Sequence, residues 1–251
     1  MAKIILNAAF ILLLFILMII LDSIYFYLNC YYGFFSQAGI VRSGSRNKRN
    51  VAITFDDGPS KYTDKILDIL KNRKVKATFF LVGEQVGQYP HIARRIVEEG
   101  HDIGNHSFAH SRLSLRTKKT VMEQIEKAER IIKKITGKKA LYFRPPNGNY
   151  DQNLREILVR KGYKMVLWTI SSYDWMNPGV GIIISKATKR AKNGDIILFH
   201  DSGGLIKSHM MGREQTINAL PKVIDELKKK RLMPVKISRL LKDNYNSPLG
   251  G

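Results

Sequence analysis

The sequence predicts an α/β domain on a parallel sheet closed as a barrel, carried behind an N-terminal transmembrane helix. Three observations predict it. Ile4 to Leu21 is an uncharged apolar run broken only by Asn7. After Asn50, short β-branched or apolar runs alternate with helical patterns, an alternation that calls for a parallel sheet. Ionisable residues directly follow several of those runs, as they do where loops from many strands converge on one site.

The apolar run is long enough for a membrane span, and longer than the 7–15 residues usual in a cleaved signal peptide. Residues 1–35 are therefore read as a signal anchor, with Tyr25, Tyr27, Tyr31 and Tyr32 suited to the interface. Cleavage after Ser36-Gln37-Ala38 is the alternative. Residues 36–49 read as a basic linker, with Arg42, Arg46, Lys48 and Arg49 around a flexible Ser43-Gly44-Ser45. The expected topology is a single pass through the cytoplasmic membrane, Lys3 inside and the C-terminal domain outside.

Composition narrows the classes. The chain has 251 residues, 44% hydrophobic and 25% charged, which excludes disorder and collagen. One cysteine, Cys30, excludes an internal disulfide. The net charge of +21 falls on the part after residue 35, because Lys3 and Asp22 cancel. That charge attracts polyanions: nucleic acid, acidic headgroups or an anionic wall polymer. No zinc-finger spacing, RNP-like motif or basic zipper is present, so nucleic acid is not the expected partner.

The predicted strands are Val51–Phe55, Ala77–Leu81, Asp102–Asn105, Tyr142–Arg144, Lys164–Trp168, Asp195–Phe199 and Met233–Ile237. Between them, apolar residues recur at spacings of three and four, as in Val121, Ile125, Ala128, Ile132 and Ile135. Pro221 either interrupts the last long helix or opens its main part. Periodicity does not separate an open sheet from a barrel. Asp56 and Asp57 after the first run, Asn105 and His106 after the third, Arg144 at the fourth, Asp174 past the fifth and His200 after the sixth favour a barrel mouth.

Thr54-Phe55-Asp56-Asp57-Gly58-Pro59 places two carboxylates where a strand stops at a turn. Alone, it reads as an acidic turn. His106 and His110 stand four apart, a spacing that brings two imidazoles to one point in a helical turn. A carboxylate added to two histidines makes the three-ligand set of a catalytic zinc site with a position open to water. His91, His101 and His209 read as surface or helix-end residues, and Lys228-Lys229-Lys230-Arg231 as a solvated helix end.

Together these pieces resemble the NodB-homology domain of polysaccharide deacetylases, carbohydrate esterase family 4. Five motifs occur in order: TFDDGP at Thr54–Pro59, HSFAH at His106–His110, RPPNG at Arg144–Gly148, Asp174-Trp175, and Leu198-Phe199-His200. The resemblance implies a distorted (β/α)7 barrel over residues 50–243, followed by a tail at 244–251. It implies that Asp57, His106 and His110 bind a divalent metal, usually Zn2+, that Asp56 is the general base, and that His200 is the general acid. Arg144 then orients Asp56, Asp174 orients His200, Asn147 supplies a backbone donor to the oxyanion, and Trp175 and Leu198 wall the acetyl pocket. At position 147 the family most often has Tyr. The implied activity is deacetylation of N-acetylated amino sugars in an acetylated glycan, either peptidoglycan or chitin-type. An O-acetyl esterase of xylan type and a catalytically silent membrane-tethered glycan binder are the alternatives.

Overall fold

The structure is a computed structural model that describes residues 2–27, 39–203 and 212–242, with side chains in the first helix described at Phe10 and residues 12–24. His209, Cys30, Tyr31, Tyr32, the Ser36–Ala38 site, the tail and the side chains of Tyr25 and Tyr27 lie outside the described residues. Helix α1 runs over Ala2–Tyr27, and its described apolar side chains, Phe10 and Leu12 through Ile24 among them, are exposed. Among the described residues no helix is long and apolar enough to cross a membrane.

All seven predicted strands are present: β2 Asn50–Asp56, β3 Thr78–Leu81, β4 Asp102–Asn105, β5 Tyr142–Phe143, β6 Lys164–Val166, β8 Ile196–His200 and β9 Met233–Val235. Two more, β1 Ile40–Val41 and β7 Ile170–Ser171, have two residues each, too few to show a period in sequence. The sheet order is β1-β6-β5-β4-β3-β2-β8-β7, with β9 on β2, and every pairing is parallel. No pairing joins β7 to β1 among the described residues. The sheet is thus a curled parallel half-barrel rather than a ring closed by hydrogen bonds.

Alternation along the strands sorts two cores. Val51, Ile53 and Phe55 of β2 and Ile197 and Phe199 of β8 face outward into the main core. There they meet helices α2 Lys61–Asn72, α4 Pro90–Glu98, α5 Lys118–Thr136, α7 Val180–Thr188 and α8 Glu214–Lys229. Burying each such side chain contributes on the order of 1.5–3 kcal/mol. Ala52 and Ile196 face inward, where Ile237, Leu240 and Leu241 of helix α9, Ile237–Lys242, fill the barrel. The same inward face carries Thr54, Asp56, Leu198 and His200 at its other end.

The helix boundaries follow local chemistry. Ser60 caps α2, accepting from Tyr62 N–H in a capping box with Thr63. Thr117 accepts from Thr120 N–H at the start of α5, and Gly137 ends it with φ 70. Helix α8 runs unbroken through Pro221. The short helix α3, Gly83–Gln88, had no apolar period to predict it.

Residues 39–49, expected as part of a flexible linker, are instead built into the domain. β1 pairs with β6, Gly44 N–H donates to Gly194 O at 2.7 Å, and Arg46 pairs with buried Asp195 at 2.6 Å. A Cβ at Gly44 would fall 2.5 Å from the Leu240 side chain, so the small residue read as flexibility is required by close packing.

Candidate active site

In a parallel sheet all strands end on one side, and the predicted site residues gather at those ends. Asp56 closes β2, Asp57 follows it, His106 and His110 lie in the loop after β4, Arg144 follows β5, and His200 closes β8. Asp174 opens a short 3-10 turn, Asp174–Met176, after β7.

Asp57 Oδ1 lies 3.1 Å from His110 Nε2 and 3.4 Å from His106 Nε2. Their ligand atoms all lie within 4.8 Å of one another, and no other such group of three occurs among the described residues. Burial alone would raise the Asp57 carboxyl, but hydrogen bonds from His106 and His110 outweigh it and hold the group well below the usual carboxylate range. Burial would likewise lower His110, yet Asp57 raises it. His106 Nδ1 is 2.6 Å from the Arg144 carbonyl oxygen, which fixes the ring and turns Nε2 toward Asp57. One ionised carboxylate and two oriented imidazoles fit a divalent metal of the zinc class.

The expected helical turn from His106 to His110 is absent. Ser107 and His110 have φ of 67 and 51, and Asp57 has φ 78. Left-handed backbone at non-glycine residues costs free energy and persists where surroundings enforce it. Here Asn105 Oδ1 accepts from Ser107 N–H at 2.9 Å, Gln124 Oε1 accepts from Ala109 N–H at 3.0 Å, and Gly83 N–H donates to Ser107 O. A Cβ at Gly83 would meet Phe108 at 2.6 Å. The two imidazoles converge through this braced loop, with ring centroids 5.1 Å apart.

Asp56 is anchored separately. Arg144, fully buried, donates from Nη1 to Asp56 Oδ1 at 2.7 Å and to Thr54 Oγ1 at 2.9 Å. Its Nε and Nη2 donate to Val166 O and Leu167 O, both at 3.1 Å. The guanidinium lies 4.0 Å over the Phe80 ring, a ring that fits because residue 104 is glycine. Burial lowers Arg144, and Asp56 offsets part of that.

His200 stands on the opposite wall. Its Nδ1 is 2.8 Å from Asp174 Oδ1, and its backbone N–H donates to Asp174 Oδ2 at 2.8 Å. Thr216 Oγ1 also donates to Oδ2, at 2.9 Å. Burial would lower His200, but Asp174 raises it to about 9. Burial would raise Asp174, but His200 holds it below its usual value. Trp175 is partly exposed beside Asp174, and Leu198 is buried one inward position before His200. Asn147 is exposed with φ 58 in the Pro146–Gly148 turn. The turn's own bonds run from Gly148 N–H to Pro145 O and from Asn149 N–H to Pro146 O, leaving the Asn147 N–H outside them.

Sequence reasoning missed two buried residues here. Asp201 accepts at Oδ2 from Thr63 Oγ1 at 2.7 Å, and its Oδ1 has no partner among the described residues. A Cβ at Gly58 would lie 2.2 Å from Asp201 Oδ2, so the carboxyl sits against the turn that carries Asp57. Burial, with Asp57 and Asp56 nearby, pushes it up to about 7. Arg213 donates from Nε to Ser202 O at 2.6 Å and from Nη1 to Asp174 O at 3.4 Å. The only sequence signal for Asp201 was its place beside His200; Arg213 had none.

His101 is a helix-end residue, as expected, its N–H donating to Ile96 O past the end of α4, but it does not lie at the surface. It is buried, its Nδ1 accepts from Ala77 N–H at 3.0 Å, and burial pushes it down to about 3. His91 is exposed on α4 as expected.

Residues 43–166 match the family model for polysaccharide deacetylases. A Bacillus cereus peptidoglycan-N-acetylglucosamine deacetylase is 38% identical over 199 residues, covering 78% of this chain and 90% of the relative. The Bacillus subtilis peptidoglycan-N-acetylmuramic acid deacetylase PdaA is 35% identical over 162 residues, covering 62% of each chain. Among solved structures, a peptidoglycan N-acetylglucosamine deacetylase in complex with 4-naphthalen-1-yl-N-oxidanyl-benzamide superposes with a TM-score of 0.77 at 35% identity, covering 83% of this chain and 96% of that one. On this likeness and on the site that carries its motifs, the chain belongs to the polysaccharide deacetylase family, carbohydrate esterase family 4.

Proposed function

We propose that the chain hydrolyses the acetamide of N-acetylated amino sugars in a cell-wall glycan, with peptidoglycan GlcNAc or MurNAc as the substrate and chitin-type glycans in the same chemical class. The observation that carries this reading is the pairing of a base and an acid on opposite walls of one cleft, with the Asp57–His106–His110 cluster beside the base. A divalent metal, Zn2+ by its donor set, would be held by Asp57, His106 and His110 and would polarise the acetyl carbonyl and make water more acidic.

The chain's own groups supply the remaining chemistry. Asp56, oriented by Arg144, accepts the proton of the attacking water. The Asn147 N–H donates to the oxygen that gains charge when the carbonyl is attacked. His200, kept cationic by Asp174, protonates the amine as the C–N bond breaks. Trp175 and Leu198 bound the space for the acetyl methyl group.

The location proposed is the outer side of the cytoplasmic membrane, with α1 as a retained single span. At 1.5 Å per residue a 26-residue helix reaches ~39 Å, more than the ~30 Å hydrocarbon core. Protease added to intact, wall-stripped cells should clip the domain; protection until lysis overturns this topology.

Acetate release tests the activity. Peptidoglycan, chitin oligomers and O-acetylated xylan are each incubated with the full chain, with chelator and with chelator followed by Zn2+. Release from peptidoglycan that stops with chelator and returns with metal supports the reading. Release from xylan alone, or release indifferent to verified metal removal, overturns it.

A further inference from the structure

The sheet has a second end, and its chemistry is unlike the first. Because every pairing is parallel, the segments that lead into the strands all open on the side opposite the cleft. Arg46, Lys48 and Arg49 lead into β2, and Lys189, Arg190 and Lys192 lead into β8; all six are exposed. The exposed run Lys228–Arg231 leads into β9 beside them. Arg239 and Lys242 are exposed on α9, which closes this end of the barrel through Ile237, Leu240 and Leu241.

Acids at this end are fewer than bases and mostly paired: in the segment leading into β4, beside the exposed Glu98, Glu99 is held by Arg95 at 2.7 Å and Asp102 by Lys236 at 3.0 Å. Asp195, the acid nearest the cluster, is buried and taken by Arg46 at 2.6 Å. Asp225 is paired with Arg73 at 2.5 Å and Glu226 with Lys229 at 3.2 Å. Side chains that donate to backbone carbonyls hold the basic loops in place: Lys230 Nζ donates to Thr188 O and Lys189 O at 2.6 and 2.9 Å, and Asn193 Nδ2 donates to Arg46 O at 2.9 Å. Two depressions of about 670 and 420 Å3 share Arg46 and Lys192 in their walls. They give this end recesses edged by cations.

We infer that this basic end of the barrel docks on the anionic headgroups of the membrane, holding the cleft at the opposite end away from the bilayer. Anionic lipid is favoured over a dissolved polyanion by the path of the chain. Gly39 precedes β1, whose parallel pairing with β6 puts the start of the domain at this same end. The apolar helix α1 precedes it by the eleven residues 28–38. The inference rests on the membrane-anchored reading above and adds a second, electrostatic contact to it. Near an anionic surface each Lys or Arg strengthens association about fivefold, and the effect fades beyond a Debye length.

The test uses the full chain in vesicles of phosphatidylcholine alone and of phosphatidylcholine with phosphatidylglycerol, each with a headgroup energy-transfer acceptor. With Cys30→Ser as background, a donor dye is placed at the basic end through Asn193→Cys or at the cleft end through Lys119→Cys. With phosphatidylglycerol, transfer from position 193 should exceed that from 119. The excess should shrink in salt and in phosphatidylcholine alone. The triple change Lys189→Gln, Arg190→Gln and Lys192→Gln should lower the docked-to-undocked ratio by about a hundredfold while leaving acetate release from a soluble oligomer unchanged.

Equal transfer from both ends in phosphatidylglycerol vesicles overturns the inference, as does an excess indifferent to lipid charge and salt. Polyglycerol phosphate that abolishes docking and binds the 193 face more tightly than the vesicles assigns the surface to a polymer and also overturns it. Failure of the chain to float with phosphatidylcholine vesicles defeats the anchor alone. In that case flotation that depends on phosphatidylglycerol still supports the docking face.

Discussion

The two walls of the cleft use the same residue types, carboxylate and imidazole about 3 Å apart, for opposite ends. On the β2–β4 wall, Asp57 meets the Nε2 atoms of His106 and His110, and His106 has its Nδ1 committed to a backbone carbonyl. On the β8 wall, His200 meets Asp174 through Nδ1, and that carboxylate is also held by a backbone N–H and by Thr216. The first arrangement gathers donors around one point and suits a cation. The second stabilises a proton on a single ring. Nδ1 is the nitrogen tied back in both rings, so what distinguishes the proposed ligand from the proposed acid is the partner that holds it, a neutral carbonyl for His106 and a carboxylate for His200.

The sharpest way to break this comparison is within the first wall. Asp57→Ala should lose metal and activity together, since it removes one of three converging donors. Asp56→Asn should retain metal, measured by elemental analysis, and lose about 10²–10⁴ in turnover. Equal metal loss in both variants would mean that the two carboxylates are not divided as the geometry divides them.

The second wall predicts a pH limb. His200 is raised to about 9, so a reaction needing its proton holds its rate below that pH and loses it as pH rises through it. His200→Ala should cost about 10²–10⁴ in kcat. Asp174→Asn removes the charge that raises the ring, so the falling limb should move to lower pH and the rate should drop. A limb that stays in place in Asp174→Asn would detach His200 from the acid role.

Much of this was legible in the sequence because parallel strands end on one side, and a residue placed just past a strand is a residue in the cleft. Asp56, Asp57, His106, Arg144 and His200 could be found that way. Braces could not. Asp201 and Arg213 act through Gly58 and the backbone of Asp174, contacts with no fixed sequence spacing. The turn holding His110 was misread for a related reason: four residues fit a helix as well as a left-handed loop braced by Asn105 and Gln124. The segment 39–49 looked like a linker because its Gly and Ser gave no sign that Leu240 would press against Gly44.

Asp201 joins the two walls, and its effect should appear in stability. Its carboxyl is pushed up to about 7, against ~3.9 in an unfolded chain, so the folded state holds the proton more tightly. Stability therefore falls as pH rises from ~4 to ~7 and is level above, by at most ~4 kcal/mol for this group. Asp201→Asn should remove that slope. Denaturant melts of chelator-treated chain at pH 5 and pH 8 should show a smaller loss for the variant than for the parent. Identical losses would mean that Asp201 titrates normally.

The smallest effect is expected at Asn147, for which the role proposed above is carried by its backbone N–H. With φ 58 it occupies the left-handed region, where Asn is tolerated better than most residues. That gives Asn a conformational reason at a position where the family most often has Tyr. Asn147→Gly should keep activity within a few-fold, because the N–H and the turn remain. Asn147→Ala and Asn147→Tyr should keep kcat as well while costing at most roughly 1–2 kcal/mol in stability, because they lack the short polar side chain that lets Asn tolerate left-handed backbone. Asn147→Pro removes the donor, and loss of one such donor is worth roughly 10²–10³ in kcat. Its result counts when metal content and folding match the parent. If Asn147→Ala loses as much activity as Asn147→Pro while its melting curve and metal content are unchanged, the amide side chain takes part in the chemistry, and the backbone assignment fails.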